Sequence, residues 1–306
     1  MVMILPRRFS VRTRRRRTCP SWPTRLGADE ACSALRSGMP SIDARSSSPG
    51  MTQYAFRRAL GEAVPSCEVC PMRTWLVILA LVIATVVYAI IVTIHMLLWR
   101  NPEVYFAYAR SWSRLVLRWS GVNVNVSGAE HLVPGERYVY ASNHASMFDI
   151  PVILACVPDN VRIMYKKELE RVPIFGWSLA VSPFVAIDRG KKRQAAAVLD
   201  EVTATLRSGS SVLIFPEGTR SSDGRVQEFR RGAFTLAVKS ERPIVPVALI
   251  GTAAILPKGT RRLAGGRVTL KIFPPVAVPA SATREQEKGL MLQVHDIIAG
   301  AVDSQS

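Results

Sequence analysis

Residues 194–220 read QAAAVLDEVTATLRSGSSVLIFPEGTR. The first half reads as a helix over Gln194–Leu206, and the short apolar run Ser211–Phe215 reads as a buried strand. The strand stops at Pro216-Glu217-Gly218, where both Pro and Gly interrupt regular structure. Such an ending does little for stability. Gly218 lets a ligand approach the backbone, and Arg220 carries the planar fork that suits a phosphate. Helix, buried strand and ligand-suited turn in succession point to an α/β domain.

The same pattern extends on both sides. Short apolar runs at Val122–Val126, Tyr138–Ser142, Val161–Tyr165, Phe184–Asp188, Ile244–Leu249 and Val268–Phe273 read as further strands. Gly232–Lys239 reads as a shorter helix and Glu285–Val302 as an amphipathic one that packs on the domain. The expected fold is α/β: a mixed, largely parallel sheet of about seven strands flanked by helices. Ligands in such sheets gather at the carboxyl ends of the strands. Pro246, inside PIVPVALIG, implies a sheet edge or a bulge.

Upstream, residues 75–99 read WLVILALVIATVVYAIIVTIHMLLW, with no formal charge. At ~1.5 Å rise per residue, about 25 residues can cross a ~30 Å hydrocarbon core with some tilt. A tryptophan at each end and flanking Arg73 and Arg100 suit the two interfaces. The following stretch NPEVYFAYARSWSRLVLRWSG carries Arg110, Arg114 and Arg118 at i, i+4 and i+8, which reads as an interfacial helix facing anionic head groups. The net charge of +17 calls for an anionic partner; much of it lies in the amino-terminal tail, and no groove-reading motif appears, so lipid is preferred to nucleic acid.

Residues 1–71 are rich in Arg, Ser and Pro, hold no lysine and show no sustained period, so disorder is expected there. Met51 and Met72 each precede a plausible start. The five cysteines do not form a disulfide framework, and Cys67-Glu-Val-Cys70 is a lone pair without a second. The expected organisation is an extension over 1–71, the two helices over 72–120, the α/β domain over 121–282, and a carboxyl-terminal helix and tail over 283–306.

The chemistry-bearing residues fall at strand ends. SNHASMFD, residues 142–149, follows the strand YVYAS and holds one of the chain's four histidines. If a helix begins near Ser146, Asp149 lies in its first turn and can reach back to His144. A carboxylate there orients the imidazole and stabilises its protonated form. Taken alone, H-x4-D is more often a structural strand-end histidine beside a helix-starting aspartate. Lys166-Lys-Glu-Leu follows a second strand, FVAIDRG with Arg189 a third, and Phe215-Pro-Glu-Gly-Thr-Arg-Ser a fourth. Ser146 lacks the glycine-flanked elbow of a serine nucleophile.

NHASMFD, then KKEL…GW…AIDRG, then FPEGTRS, then IVPVALIG together resemble the glycerolipid acyltransferase family, over roughly residues 72–280. Its bacterial 1-acyl-sn-glycerol-3-phosphate acyltransferases are the most similar branch. The resemblance implies that His144 is the base for the sn-2 hydroxyl of lysophosphatidate and that Asp149 orients it. It implies that Glu217, Gly218, Thr219 and Arg220 bind the acceptor, with Arg220 on the phosphate, Lys166 adding a second positive charge and Arg189 a less defined contact. The hydroxyl would attack the thioester of acyl-CoA or acyl-carrier protein directly, giving phosphatidate. No metal or organic cofactor is implied, because the thioester carries the activation. Implied partners are those substrates and membrane lipids, with no nucleic acid. The implied location is the cell's inner or plasma membrane, with the catalytic domain in the cytoplasm beside the donors. Another acceptor within the family, or a non-catalytic membrane-tethered lipid-binding protein, are the alternatives.

Overall fold

The computed structural model describes residues 71–187, 194–207, 209–260, 262–279 and 281–304. Arg189, the basic run 191–193, the Cys67 and Cys70 pair and the amino-terminal extension lie outside the described residues. Among the described residues are seven strands: β1 (Val122–Ser127), β2 (Val139–Ser142), β3 (Val161–Lys166), β4 (Val185–Ile187), β5 (Ser211–Ile214), β6 (Ile244–Ile250) and β7 (Gly266–Ile272). They form one sheet in the order β1-β7-β6-β2-β5-β3-β4. Only β6 and β7 pair antiparallel; the other neighbours are parallel. The expected mixed, largely parallel sheet is observed.

The helices are α1 (Pro71–Trp99), α2 (Pro102–Trp119), α3 (Asp149–Cys156), α4 (Phe175–Ala180), α5 (Gln194–Arg207), α6 (Gly232–Ser240), α7 (Thr252–Ile255) and α8 (Arg284–Asp303). Strand side chains alternate between two apolar layers. Tyr140, Leu213, Val245, Val247 and Leu249 join α2 and α3 on one face, while Val139, Val212, Ile214, Ile244 and Ala248 join α6 and α8 on the other. Burial on both faces is why these strands read as continuous apolar runs. Leu213 is 1% exposed, and truncating such a residue to Ala costs ~2–5 kcal/mol. α8 begins at a capping box in which Thr283 accepts from Gln286 N and the Gln286 side chain accepts from Thr283 N.

One half of an expectation is corrected: Pro246 does not lie at an edge, since β6 is interior, flanked by β7 and β2. The other half is met, because the pairing slips by one residue there, from Pro246 with Phe273 to Ile244 with Val276, a bulge in the segment that follows β7. Pro246 opposes Ala141 of β2, and its carbonyl accepts from Phe273 N, just beyond the last β6–β7 pair, Val247 with Ile272. The N–H that proline lacks would point the same way as that carbonyl, toward Phe273, so the Pro246–Phe273 pair keeps one of its two ladder bonds.

Aromatic residues of α2 pack against α1. Trp112 Nε1 donates to Thr85 Oγ1 of α1 at 3.0 Å, and the Tyr88 and Ser111 hydroxyls pair at 2.9 Å. Arg110 donates Nη2 to the carbonyl of Asp159 at 3.1 Å. α2 thus bridges α1 and the domain. α1 itself is long and apolar enough to cross a membrane, and Leu76, Leu79, Ile83, Ile94 and Leu98 are exposed along it.

Candidate active site

β2 and β5 are parallel neighbours, with Val139 opposite Val212 and Ala141 opposite Ile214. Continuing that register three residues past the ladder sets His144 beside Glu217. Both strand ends therefore deliver their polar residues to one place, at the carboxyl edge of the sheet's centre. The backbone N–H of His144 donates to Glu217 Oε1 at 2.8 Å, and its carbonyl accepts from Ser221 N at 2.8 Å. The imidazole stacks on Phe215, with ring centroids 4.0 Å apart and planes 17° apart. One segment, Phe215 to Ser221, holds the histidine by ring, N–H and carbonyl.

Asp149 opens α3, so its carboxylate can turn back over the preceding loop. Asp149 Oδ2 lies 2.7 Å from His144 Nδ1 and also accepts from Ala145 N and Ser146 N, each at 2.8 Å. Asp149 is fully buried, while the His144 side chain keeps 18% of its surface exposed. With Nδ1–H donated to the carboxylate, Nε2 is the nitrogen free to take a proton. Ser146 is buried; its hydroxyl donates to the Leu256 carbonyl at 3.0 Å and accepts from Phe148 N at 3.3 Å. It shapes the loop and presents no nucleophile.

Glu217 is 3% exposed, and burial pushes its carboxyl up to about 7 although N–H groups of His144 and Gln227 pull the other way. The nearby Asp149 and Asp223 charges add to the rise. Glu217 Oε2 and Asp149 Oδ1 are buried and accept no hydrogen bond among the described residues.

Beside this centre lies an apolar cavity of about 280 Å³. Met147, from the loop between His144 and Asp149, lines it together with Ala89 and Val92 of α1, Tyr105 of α2 and Leu179 of α4. The walls are almost wholly hydrocarbon and aromatic, the lining that an alkyl chain requires.

A family model described as Acyltransferase matches residues 123–250, from β1 to the end of β6. A 1-acyl-sn-glycerol-3-phosphate acyltransferase of Limnanthes alba is 30% identical over 221 residues, covering 71% of this chain and 78% of the relative. The chain belongs to the acyltransferase family. A chloroplastic 1-acyl-sn-glycerol-3-phosphate acyltransferase of Arabidopsis thaliana is 33% identical over 178 residues, covering 55% of this chain and 50% of that protein. The sheep 1-acyl-sn-glycerol-3-phosphate acyltransferase alpha is 35% identical over 173 residues, covering 54% of this chain and 60% of the relative. The chain thus spans half to three fifths of the length of these two relatives. The crystal structure of the 1-acyl-sn-glycerophosphate (LPA) acyltransferase PlsC from Thermotoga maritima superposes with a TM-score of 0.66 at 28% identity, covering 76% of this chain and 95% of that one.

In this member of the acyltransferase family the remaining expected site residues are distributed unevenly. Gly218 has φ +73°, and a Cβ there would come within 3.0 Å of Arg230 Nε, so glycine admits that guanidinium. Thr219 is exposed and Arg220 half-buried, and the Arg220 carbonyl accepts from Lys258 Nζ at 2.6 Å. Lys166 ends β3 and pairs with Glu168 at 3.2 Å; both side chains are exposed. Arg189 lies outside the described residues.

Sequence reasoning missed three contributors. Arg230 and Lys258 join Arg220 at the FPEGTR turn, and nothing in their local sequence sets them apart from other surface cations. Asn143 clips β2 to β6: its Nδ2 donates to the Leu249 carbonyl and its Oδ1 accepts from Leu249 N, both at 2.8 Å. A buried amide matched to one peptide fixes the residue immediately before His144. Its only sequence signal was its place in NHASMFD.

Proposed function

We propose that this chain transfers an acyl group from a thioester to the sn-2 hydroxyl of lysophosphatidate, giving phosphatidate. The observation that carries the reading is the His144–Asp149 pair beside an apolar cavity lined by Met147, which lies between the two residues on the same loop. His144 Nε2 takes the hydroxyl proton as the oxygen attacks the thioester carbonyl. The tetrahedral intermediate collapses, the C–S bond breaks, and the proton passes from the imidazolium to the departing thiolate. Asp149 keeps the imidazole in the productive tautomer and offsets its charge.

The acyl chain lies in the apolar cavity, between the domain and the α1–α2 pair. Arg220, Arg230 and Lys258 supply the positive charge for the acceptor phosphate, with Lys166 at the adjacent strand end. α1 anchors the chain in the bilayer where lysolipid and product reside, and the domain faces the cytoplasm. The donor is acyl-CoA or acyl-carrier protein, since both present the same thioester arm. General-base assistance is worth ~10²–10⁴-fold. His144→Ala, assayed with radiolabelled lysophosphatidate and each donor, is expected to lose at least 100-fold in kcat. Activity within tenfold of the unsubstituted enzyme would refute the mechanism.

A further inference from the structure

A second concavity, of about 750 Å³, lies at the opposite end of the sheet. Its walls come from residues preceding β2, β3 and β5 and from the amino-terminal part of α2. Arg110 and Arg114 of α2, Arg137 before β2 and Arg162 of β3 line it. Arg137 and His144 bracket the same strand, so at ~3.3 Å per residue the cavity and the candidate base are roughly 20 Å apart. The cavity does not belong to the catalytic centre.

Two carboxylates, Asp159 and Glu103, also line the cavity and offset part of the charge of the four arginines. Asp159 accepts from Tyr140 OH at 3.1 Å and from Asn160 N at 2.7 Å, and Glu103 accepts from the Asn160 side chain. Among the described residues, the one ion pair made by the four arginines is Arg137 with Asp159, at 4.0 Å. Arg110 donates to Asp159 O and Asn160 Oδ1, Arg137 to Gly209 O and Glu136 O, and Arg162 to Pro183 O. Each guanidinium has five N–H donors, so most remain for a ligand. Arg162 Nε is buried and meets no acceptor among the described residues.

Gathered guanidinium groups repel one another until an anion or solvent screens them, and planar forks match tetrahedral phosphate oxygens. The position adds a second argument. Pro102 and Glu103, which line the cavity, follow closely on Trp99, the last residue of α1. The end of a bilayer-length helix lies at head-group depth, where basic pockets take anionic lipid head groups.

We propose that this cavity is a phosphate-binding site, distinct from the catalytic centre, for a phosphomonoester carried by a lipid head group or by a soluble anion. The inference goes beyond acyl transfer and does not depend on it.

The test uses the full chain in neutral-detergent micelles with Arg220→Gln, which removes an acceptor contact assigned above. Calorimetric titration with inorganic phosphate and, separately, with water-soluble dihexanoyl phosphatidate is expected to show one site for at least one probe. Adding Arg114→Glu should weaken it at least tenfold, and Arg162→Gln should weaken it independently. Arg114 is exposed, so its substitution should leave Tm unchanged, and acyl transfer should persist where Arg220 is intact. Tighter binding of phosphatidate by tenfold or more assigns the ligand to a lipid; equal or tighter binding of inorganic phosphate assigns it to a soluble anion. Absence of binding for both probes, or equal affinity with and without Arg114→Glu, would overturn the proposal. Either failure leaves the His144 result untouched.

Discussion

The backbone N–H of His144 donates to Glu217 Oε1 at 2.8 Å, so the candidate base is held in place by a carboxylate from the neighbouring strand's end. Ser221 N holds the other side of the same residue through its carbonyl. Glu217 is therefore expected to act through His144. Glu217→Gln keeps a carbonyl oxygen for the His144 N–H and is expected to stay within tenfold in kcat. Glu217→Ala leaves that N–H buried and unpaired, and kcat should fall about 100-fold, since small misplacements of a reacting group are costly. A loss confined to KM for the acceptor in both variants would place Glu217 on the substrate instead.

The same carboxyl makes stability depend on pH. Its pKa rises on folding from 4.5 to about 7, chiefly through burial. The folded state then binds this proton more tightly than the unfolded state. The stability it contributes is complete below pH ~4.5 and is lost as pH rises to ~7, an effect of up to about 3 kcal/mol. Glu217→Gln removes the titration. In thermal melts across that range, the unsubstituted protein should lose Tm relative to the variant as pH rises. Parallel curves would show that Glu217 ionises at its ordinary pKa.

Asp149→Asn separates charge from shape. Asp149 Oδ2 accepts three N–H groups, from His144 Nδ1, Ala145 and Ser146. An amide oxygen in that place keeps the bonds but lacks the charge that offsets the imidazolium, and with the amide turned over its NH2 meets Nδ1 and favours the wrong tautomer. kcat should fall at least 10³-fold while the destabilisation stays within ~1–3 kcal/mol. Far-ultraviolet circular dichroism and Tm establish that the fold persists. A rate within tenfold of the unsubstituted enzyme would remove Asp149 from the mechanism.

The features that sequence reasoning recovered are local ones. Each strand announces itself by a short apolar run because the sheet is buried on both faces, and FPEG stops its strand through residues that interrupt any ladder. His144 and Asp149 are five apart on one loop, so their contact needs no knowledge of the rest of the chain. The edge alternative for Pro246 failed because the neighbours of β6 are a fact of strand order, which no local stretch reveals. Glu217 was read as an acceptor residue; its bond to the His144 backbone, and that of Ser221, follow from the β2–β5 register, which the sequence does not display. Arg230 and Lys258 reach the turn only through tertiary folding.

The apolar cavity gives the last test. Ala89 of α1 is 3% exposed and lines it, facing a space of about 280 Å³ that Met147 borders beside His144. Ala89→Phe introduces a ring into that space, while Ile90, its neighbour, is 41% exposed on the outer side of α1. Overpacking of this kind costs ~1–3 kcal/mol, so the protein should remain folded. A ring there excludes the distal part of a long chain and leaves room for a short one. With Ala89→Phe, kcat/KM for a palmitoyl donor is expected to fall at least tenfold and for a hexanoyl donor to change less than threefold. Ile90→Phe should leave both unchanged. If Ala89→Phe lowers both donors equally, the acyl chain lies elsewhere and the cavity is only a packing gap between α1, α2 and the sheet.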